Sequence, residues 1–285
     1  MDTSTTQTLR YTAFATHPSG GNPAGVVLDA TELTDDAMRA IAADLGYSET
    51  AFVTARDEPR RRFAVRYFSP LAEVAFCGHA TVATAVALAE RLGSGPLVFD
   101  TPVGEVPVDT GADADGAVLA TLTSVPTSSR PVEAAELDAA LSALGWRRED
   151  LDPALPPRVA FGGVQHLVLA AATRGRLADL DYDFDALAAV MRRAGWTTVQ
   201  LVWRESPGLF HARDPFPVGG VVEDPATGAA AAALGGYLRD LGLVPEPTVV
   251  EVRQGEDMGR PSVLTVAVGP DDARVRVSGH AVPIP

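Results

Sequence analysis

Two helical stretches assembled almost entirely from small residues limit what this chain can fold into more than any other feature. The first follows Val74-Ala75-Phe76-Cys77-Gly78-His79-Ala80-Thr81 and runs through Ala, Val, Leu and Thr from about Ala80 to Leu92, where Gly93 stops it. The second follows Val221-Val222-Glu223-Asp224-Pro225-Ala226-Thr227-Gly228 and continues through the alanines 229–233 to Leu238. A helix that is apolar all round has no face to offer water, so each belongs inside a layer of strands. The expected class is α+β, with a mostly antiparallel sheet wrapped on each buried helix.

Both helices begin alike, with an apolar run, a turn, and then small residues. Gly78 is expected because the chain reverses there and a side chain would obstruct close backbone approach. Pro225 is expected in the first helical turn, where its missing N–H costs nothing. The first amides of each helix have no partner within it, and the helix dipole is positive at that end, which seats a carboxylate. His79-Ala80-Thr81 and Pro225-Ala226-Thr227 lie 146 positions apart in 285 residues, close to half the chain. That spacing suggests two similar halves facing a shared cleft; coincidence between Ala/Thr-rich helices is the alternative. The polar, proline-bearing stretch from Val125 to Pro131 is the natural boundary. It gives one half over 1–125, onto which the C-terminal tail packs back, and another over 132–285.

Composition excludes several function classes. A net charge of −14 argues against a nucleic-acid partner and against an anionic membrane surface. No apolar run approaches the ~18 residues of a membrane-spanning helix, and Met1 to Gln7 has neither part of a secretion signal, so a cytoplasmic protein is expected. All 23 basic residues are Arg, which removes a Schiff-base lysine and the lysine of a P-loop. The single cysteine, Cys77, removes intrachain disulfides, Cys-rich metal sites and any mechanism needing two thiols from one chain. The five histidines show no metal-ligand spacing, and no Gly-rich dinucleotide turn is present. No metal and no cofactor are expected.

Further elements follow in order. Strands are expected over Leu9–Phe14 and Ala24–Leu28, with a turn-rich loop between them. A helix opens at Thr34 and closes at Gly46. Tyr47 to Val53 is a strand with Glu49 at its mouth, a solvated carboxylate or a catalytic one. Arg61–Phe68, Leu97–Asp100, Val103–Val108 and Ala117–Leu122 complete the first half. The second half has helices over Glu136–Leu144 and Asp183–Arg193. Its strands are Arg158–Phe161, Gln165–Ala171, Thr197–Trp203, Leu209–Ala212 and Val249–Val252, with a closing ribbon over Val263–Val268 and Ala273–Val277.

Five short motifs then resemble, in order, those of the phenazine-biosynthesis isomerase (PhzF-like) family, relatives of diaminopimelate epimerase. They are Gly21-Asn22-Pro23-Ala24-Gly25, Ser48-Glu49-Thr50-Ala51-Phe52, Phe76-Cys77-Gly78-His79-Ala80-Thr81, Glu223-Asp224-Pro225-Ala226-Thr227-Gly228, and Gln254-Gly255 with Met258-Gly259-Arg260-Pro261-Ser262. The resemblance implies two similar α+β halves, each a curved sheet around a central helix, with the active site in the cleft between them, a homodimer, and no cofactor. It implies that Glu49 lifts a proton from one substrate carbon and returns it at another, work that calls for a raised pKa at neutral pH. Asp224 is implied as a second acid coupled to it, and His79 as a donor or shuttle. Asn22, Gly78, Ala80, Gly228 and Ala229 are the implied substrate-binding positions, for a small carboxylate. Ala229 stands where the phenazine enzyme has a serine, which removes about 1 kcal/mol of hydrogen bonding and points to a different, less polar acid.

His79, on its residues alone, is a cap or a packed side chain as readily as a catalytic one. Cys77 reads as a small buried hydrophobe. A Cys77/His79 nucleophile pair doing acyl transfer lacks an evident orienting group. A non-catalytic small-molecule binder and a Cys77-dependent enzyme stand as the alternatives to an isomerase moving a proton by acid–base catalysis.

Overall fold

A computed structural model describes residues 7–285; Met1 to Thr6, part of the leader reading above, lie outside it. The chain forms two compact units, the first comprising the described residues through Thr123 together with Ser278–Pro285, the second Ser124–Val277.

The first unit carries β1 (Leu9–Ala13), β2 (Asn22–Val27), α1 (Asp35–Leu45), β3 (Glu49–Asp57), β4 (Arg62–Phe68) and β5 (Glu73–Val74). After these come α2 (Gly78–Leu92), β6 (Gly95–Thr101), β7 (Gly104–Ala112) and β8 (Val118–Thr123). Helix α1 has the expected ends: the Thr34 hydroxyl accepts from Ala37 N–H, and Gly46 takes the left-handed conformation. Strand β1 pairs antiparallel with β2, β2 parallel with β3, and β3 antiparallel with β4. Strand β4 pairs antiparallel with β5 and parallel with β6, which continues antiparallel through β7 to β8. Helix α2 packs against β1, β2, β3, β7 and β8 and buries every residue from His79 to Ala89. Thr81 and Thr84 stay compatible with that burial by returning their hydroxyls to the carbonyls of Cys77 and Ala80, each at 2.7 Å.

The second unit carries β9 (Ser128–Pro131), α3 (Ala134–Leu144), β10 (Arg158–Phe161), β11 (Gln165–Ala170), α4 (Arg174–Ala178) and α5 (Phe184–Ala194). It continues with β12 (Thr198–Ser206), β13 (Leu209–Phe216), β14 (Val221–Asp224), α6 (Gly228–Asp240), β15 (Thr248–Gln254) and β16 (Ser262–Val268). Its pairings repeat the order of the first unit: β10 antiparallel with β11, β11 parallel with β12, and β12 antiparallel with β13. Strand β13 is antiparallel with β14 and parallel with β15, which runs antiparallel with β16. Helix α6 packs on β9, β10, β11 and β16, with Ala230 to Leu238 buried. Leu137, Leu141, Leu187, Met191, Val199 and Leu201 belong to a core that joins α3 and α5 to the opposite face of these strands.

Four expectations change. The strand before α2 is only Glu73–Val74, so Ala75 to Cys77 is an irregular lead-in rather than a strand end. Helix α2 begins at Gly78, and a Cβ there would meet nothing within 4 Å, so close approach is not what the position needs. Pro225 lies outside α6, two residues before its Thr227 cap. The motif spacing of 146 stands, while the helices themselves start 150 positions apart, at Gly78 and Gly228, because Thr81 sits within its helix whereas Thr227 caps one. The final strand also outruns its prediction: β17 spans Val275–Pro283, and its end pairs antiparallel with β1. Its length comes from Gly279 and His280, which do not look strand-forming in isolation but are held there by pairing.

Candidate active site

The first unit gathers three reactive side chains at the start of α2. Glu49 is the first residue of β3, set beside Ala24 by the parallel pairing of β2 and β3. Cys77 caps α2 without using its side chain, and His79 is in the first turn. The Glu49 carboxylate lies 3.4 Å from His79 Nε2 and 3.6 Å from the Cys77 sulfur. Sγ is in turn 3.4 Å from His79 Nδ1. Cys77 and His79 are buried at 7% exposure each, while Glu49 retains 19% of its side-chain surface, so the cluster opens to solvent through its carboxylate.

Two further residues orient the imidazole. Asn22, buried at the start of β2, places its amide nitrogen 3.2 Å from Nδ1, and Ser48 Oγ lies 3.4 Å from Nε2. With the amide donating to Nδ1, the neutral ring carries its proton on Nε2, the nitrogen that faces Glu49. Asn22, expected on the substrate, is therefore engaged with His79. Ser48, quoted only as part of a motif, is a second partner of the ring. The pair Cys77/His79 thus has the orienting group that the sequence did not reveal. Cys77 is buried as a small side chain should be, with a carboxylate and an imidazole among its neighbours.

The second unit builds a different arrangement at the start of α6. Thr227 donates its hydroxyl to Asp224 Oδ2 at 2.5 Å. Gln254, fully buried, clamps this turn from β15: its amide donates to the Asp224 carbonyl at 2.7 Å and accepts from Thr227 N–H at 3.0 Å. Gly255, at φ 75°, must be glycine, because a Cβ there would come within 2.3 Å of the Arg260 carbonyl and 2.8 Å of that of Pro225. The Gln254-Gly255 motif is thus the buttress of the Asp-Pro-Ala-Thr turn.

Asp214 is the residue sequence reading missed. It stands across the β13–β14 pair from Asp224, fully buried, accepting at 3.0 Å from Thr198 Oγ1, which itself takes the proton of His166 Nδ1 at 2.8 Å. Burial, and then the negative charge of Asp224, hold the Asp214 carboxyl well above the usual carboxylate range, so it stays protonated. Burial alone pushes His166 down to about 3, a neutral imidazole. The neighbouring cation, Arg213, is spent on Glu223 at 2.6 Å and offers Asp214 nothing. Asp214 lies in a strand buried at every position from Phe210 to Pro215, so no alternation along the chain singles it out.

The four remaining positions expected to bind substrate fall in the first turns of the two helices, Gly78 and Ala80 in α2, Gly228 and Ala229 in α6. Thr81 N–H makes the first bond within α2, to Cys77, and Ala231 N–H that within α6, to Thr227. The amides before them have no acceptor inside their helices.

The chain resembles known proteins over most of its length. The family described as phenazine biosynthesis-like protein (PhzC-PhzF) matches residues 11–285. The chain belongs to that family. A Deinococcus radiodurans protein named an uncharacterized isomerase is 35% identical, covering 95% of this chain and 89% of its own length. The trans-2,3-dihydro-3-hydroxyanthranilate isomerase of Pseudomonas chlororaphis is 32% identical over 95% and 94%. The crystal structure of a PhzF-family phenazine biosynthesis protein from Bacillus anthracis superposes with a TM-score of 0.87 at 25% identity, covering 98% of each chain. A probable proline racemase from Agrobacterium radiobacter shares the fold at a TM-score of 0.64 and 13% identity, covering 97% of this chain and 90% of its own. The fold of the PhzC-PhzF chain is therefore epimerase-like. Among the described residues no helix is long and apolar enough to cross a membrane.

Proposed function

We propose that this chain is a cofactor-independent isomerase that relocates a proton within a small, carboxylate-bearing substrate by general acid–base catalysis. The observation that carries the reading is the approach of the Glu49 carboxylate to His79 and Cys77 at 3.4 and 3.6 Å, in a cluster reached from solvent through Glu49 itself. A base with that access takes a proton from a bound carbon acid and returns it elsewhere, while His79 polarises the substrate or supports the carboxylate. Asp224 is assigned as a second acid, and first-turn amides that have no acceptor inside their own helix as the seat for the substrate carboxylate. Family membership supports isomerisation, and the Pseudomonas chlororaphis relative makes its own substrate the first compound to try. Ala229 argues for a less polar relative of that compound. We read the two units, with their repeated strand pairing, as duplicated halves each formed on one buried helix, and the assembly as a homodimer.

Deuterium uptake from solvent, followed by mass spectrometry across dihydro-hydroxyanthranilate and a panel of small unsaturated and amino acids, tests this. Glu49→Gln is expected to slow uptake by ~10²–10⁴-fold, the usual worth of a positioned base. Unchanged uptake in that variant removes Glu49 from the mechanism. Ligand binding without any uptake replaces the reading with a non-catalytic binder.

The position of the Cys77 sulfur favours a second reading, in which the thiol exchanges the proton. Loss of uptake in Cys77→Ser, with uptake retained in Glu49→Gln, would transfer the role.

A further inference from the structure

The five histidines show no metal-ligand spacing along the chain, because the relevant donors come from separate elements. Glu49 on β3 and Cys77 and His79 at the start of α2 offer one oxygen, one sulfur and one nitrogen, all within 4.8 Å of one another. Their separations are more informative than their proximity. Sγ to Oε2 is 3.6 Å, Sγ to Nε2 is 3.7 Å, and Nε2 to Oε2 is 3.4 Å. Zinc bonds of ~2.3 Å to sulfur and ~2.0–2.2 Å to nitrogen and oxygen, spread tetrahedrally, put the same three pairs about 3.4 to 3.6 Å apart. Sγ also lies 3.4 Å from Nδ1, beside the ring rather than beyond Nε2, so the spacing of the three donors suits a zinc ion once the imidazole turns its Nε2 lone pair toward the sulfur and the carboxylate. A fourth position lies outward, on the side where Glu49 is exposed.

We propose that Glu49, Cys77 and His79 form a three-ligand site for a thiophilic divalent cation, zinc above all, whose binding shuts off the proton transfer these groups perform. On binding, the Cys77 thiol loses its proton to solvent and the thiolate, Nε2 and one carboxylate oxygen close on the ion. The imidazole proton moves to Nδ1, where the Asn22 amide, turned over, accepts it through its oxygen; that is the outer-shell contact a metal-bound histidine needs. Glu49 and the thiol are then both occupied, so neither can take a proton from carbon. A sulfur donor sets the selectivity, since zinc and cobalt are held by thiolate where magnesium and calcium are not. The binding does not depend on the isomerase assignment, and its test needs no substrate.

The test is titration of the full-length, reduced protein with cobalt and, separately, with zinc against a chelating dye. Because the chain has a single cysteine, a cobalt–thiolate charge-transfer band can come only from Cys77. The expected result is that band at one equivalent, tetrahedral ligand-field absorption, displacement by zinc, and protection of Cys77 from a thiol reagent. Magnesium produces none of these. Cys77→Ser and Glu49→Gln should each weaken zinc by more than the ~10–100-fold that loss of a supporting residue costs, and Asn22→Ala by about that amount. Absence of a thiolate band with cobalt overturns the proposal, as does zinc affinity that is unchanged in both Cys77→Ser and Glu49→Gln. The second outcome would place the ion elsewhere, for instance where His211 meets Glu205 and Glu256. The cobalt and thiol-protection measurements on the unmutated protein decide the matter even where a variant does not fold.

Discussion

The two units share one order of strand pairings and differ in what they place on it. Strands β3 and β12 occupy the same place in that order, as do β4 and β13, β5 and β14, and α2 and α6. At matched positions the first unit has Glu49, Tyr67 and Cys77, the second Thr198, Asp214 and Thr227. In the first unit the carboxylate comes from the strand and the helix cap is a thiol with no hydrogen bond to the helix. In the second the carboxylates come from the β13–β14 pair, and the turn before the helix is bonded through Thr227, Gln254 and Asp224. Tyr67 marks the same contrast. Its hydroxyl simply satisfies Thr81 within the core at 2.7 Å, whereas Asp214 at the matched place brings a buried acid up to Asp224. The frame is common because it follows from apolar patterning. The chemistry differs because single polar substitutions on the inward face leave that patterning intact.

Three perturbations test how far the second helix start is built for rigidity rather than reactivity. Gly255→Ala has the largest expected effect, a loss of more than ~2 kcal/mol of stability, since the new Cβ meets two carbonyls in a left-handed backbone. Denaturant unfolding measures it, and a loss below ~1 kcal/mol would mean the turn is not clamped as described.

Asp214→Asn comes next. A carboxyl whose folded pKa is raised binds its proton more tightly folded than unfolded, so it draws stability down as pH climbs above the ordinary carboxylate range. The decline is at most ~1.4 kcal/mol per pH unit and ends once pH passes the folded value. His166 acts in the opposite sense, since its folded pKa of about 3 lies below the unfolded one and stability rises with pH up to about 6.5. Asn, neutral and still able to accept from Thr198, should flatten that decline; a stability difference between Asp214→Asn and the unmutated chain that does not change with pH above the ordinary carboxylate range would show that the carboxyl is not raised in the folded chain.

Thr227→Val has the smallest effect, about 1 kcal/mol for the lost bond to Asp224, since the Thr227 hydroxyl turns to that carboxylate and makes no bond to the helix. Cys77→Ala, at the matched helix cap, should cost no cap hydrogen bond, because none is made there. Equal costs at both caps would erase the distinction between a braced and an unbraced helix start.

Much of the frame was legible in the chain. Thr34 and Gly46 delimit α1, Asp183 and Gly195 delimit α5, and the small residues of α2 and α6 require burial, each for a local reason that needs no partner. The motifs around Glu49, His79 and Asp224 were equally visible, and they carry the family resemblance. What remained hidden depends on pairing at a distance. Asn22 reaches His79 across 57 positions, Gln254 reaches the Asp224 turn across 30, and Asp214 meets Asp224 only because β13 and β14 align in that register.

The sequence by itself determined where α1 and α5 start and stop, that α2 and α6 are buried, and which reactive residue types the chain holds, because those follow from side-chain size, periodicity and capping. Tertiary structure alone decided that Cys77 lies against a carboxylate and an imidazole, and that the Asp214 carboxyl is held well above the usual carboxylate range. Both outcomes come from desolvation and from distances of a few ångströms between separate elements, and neither is written in any single stretch of chain.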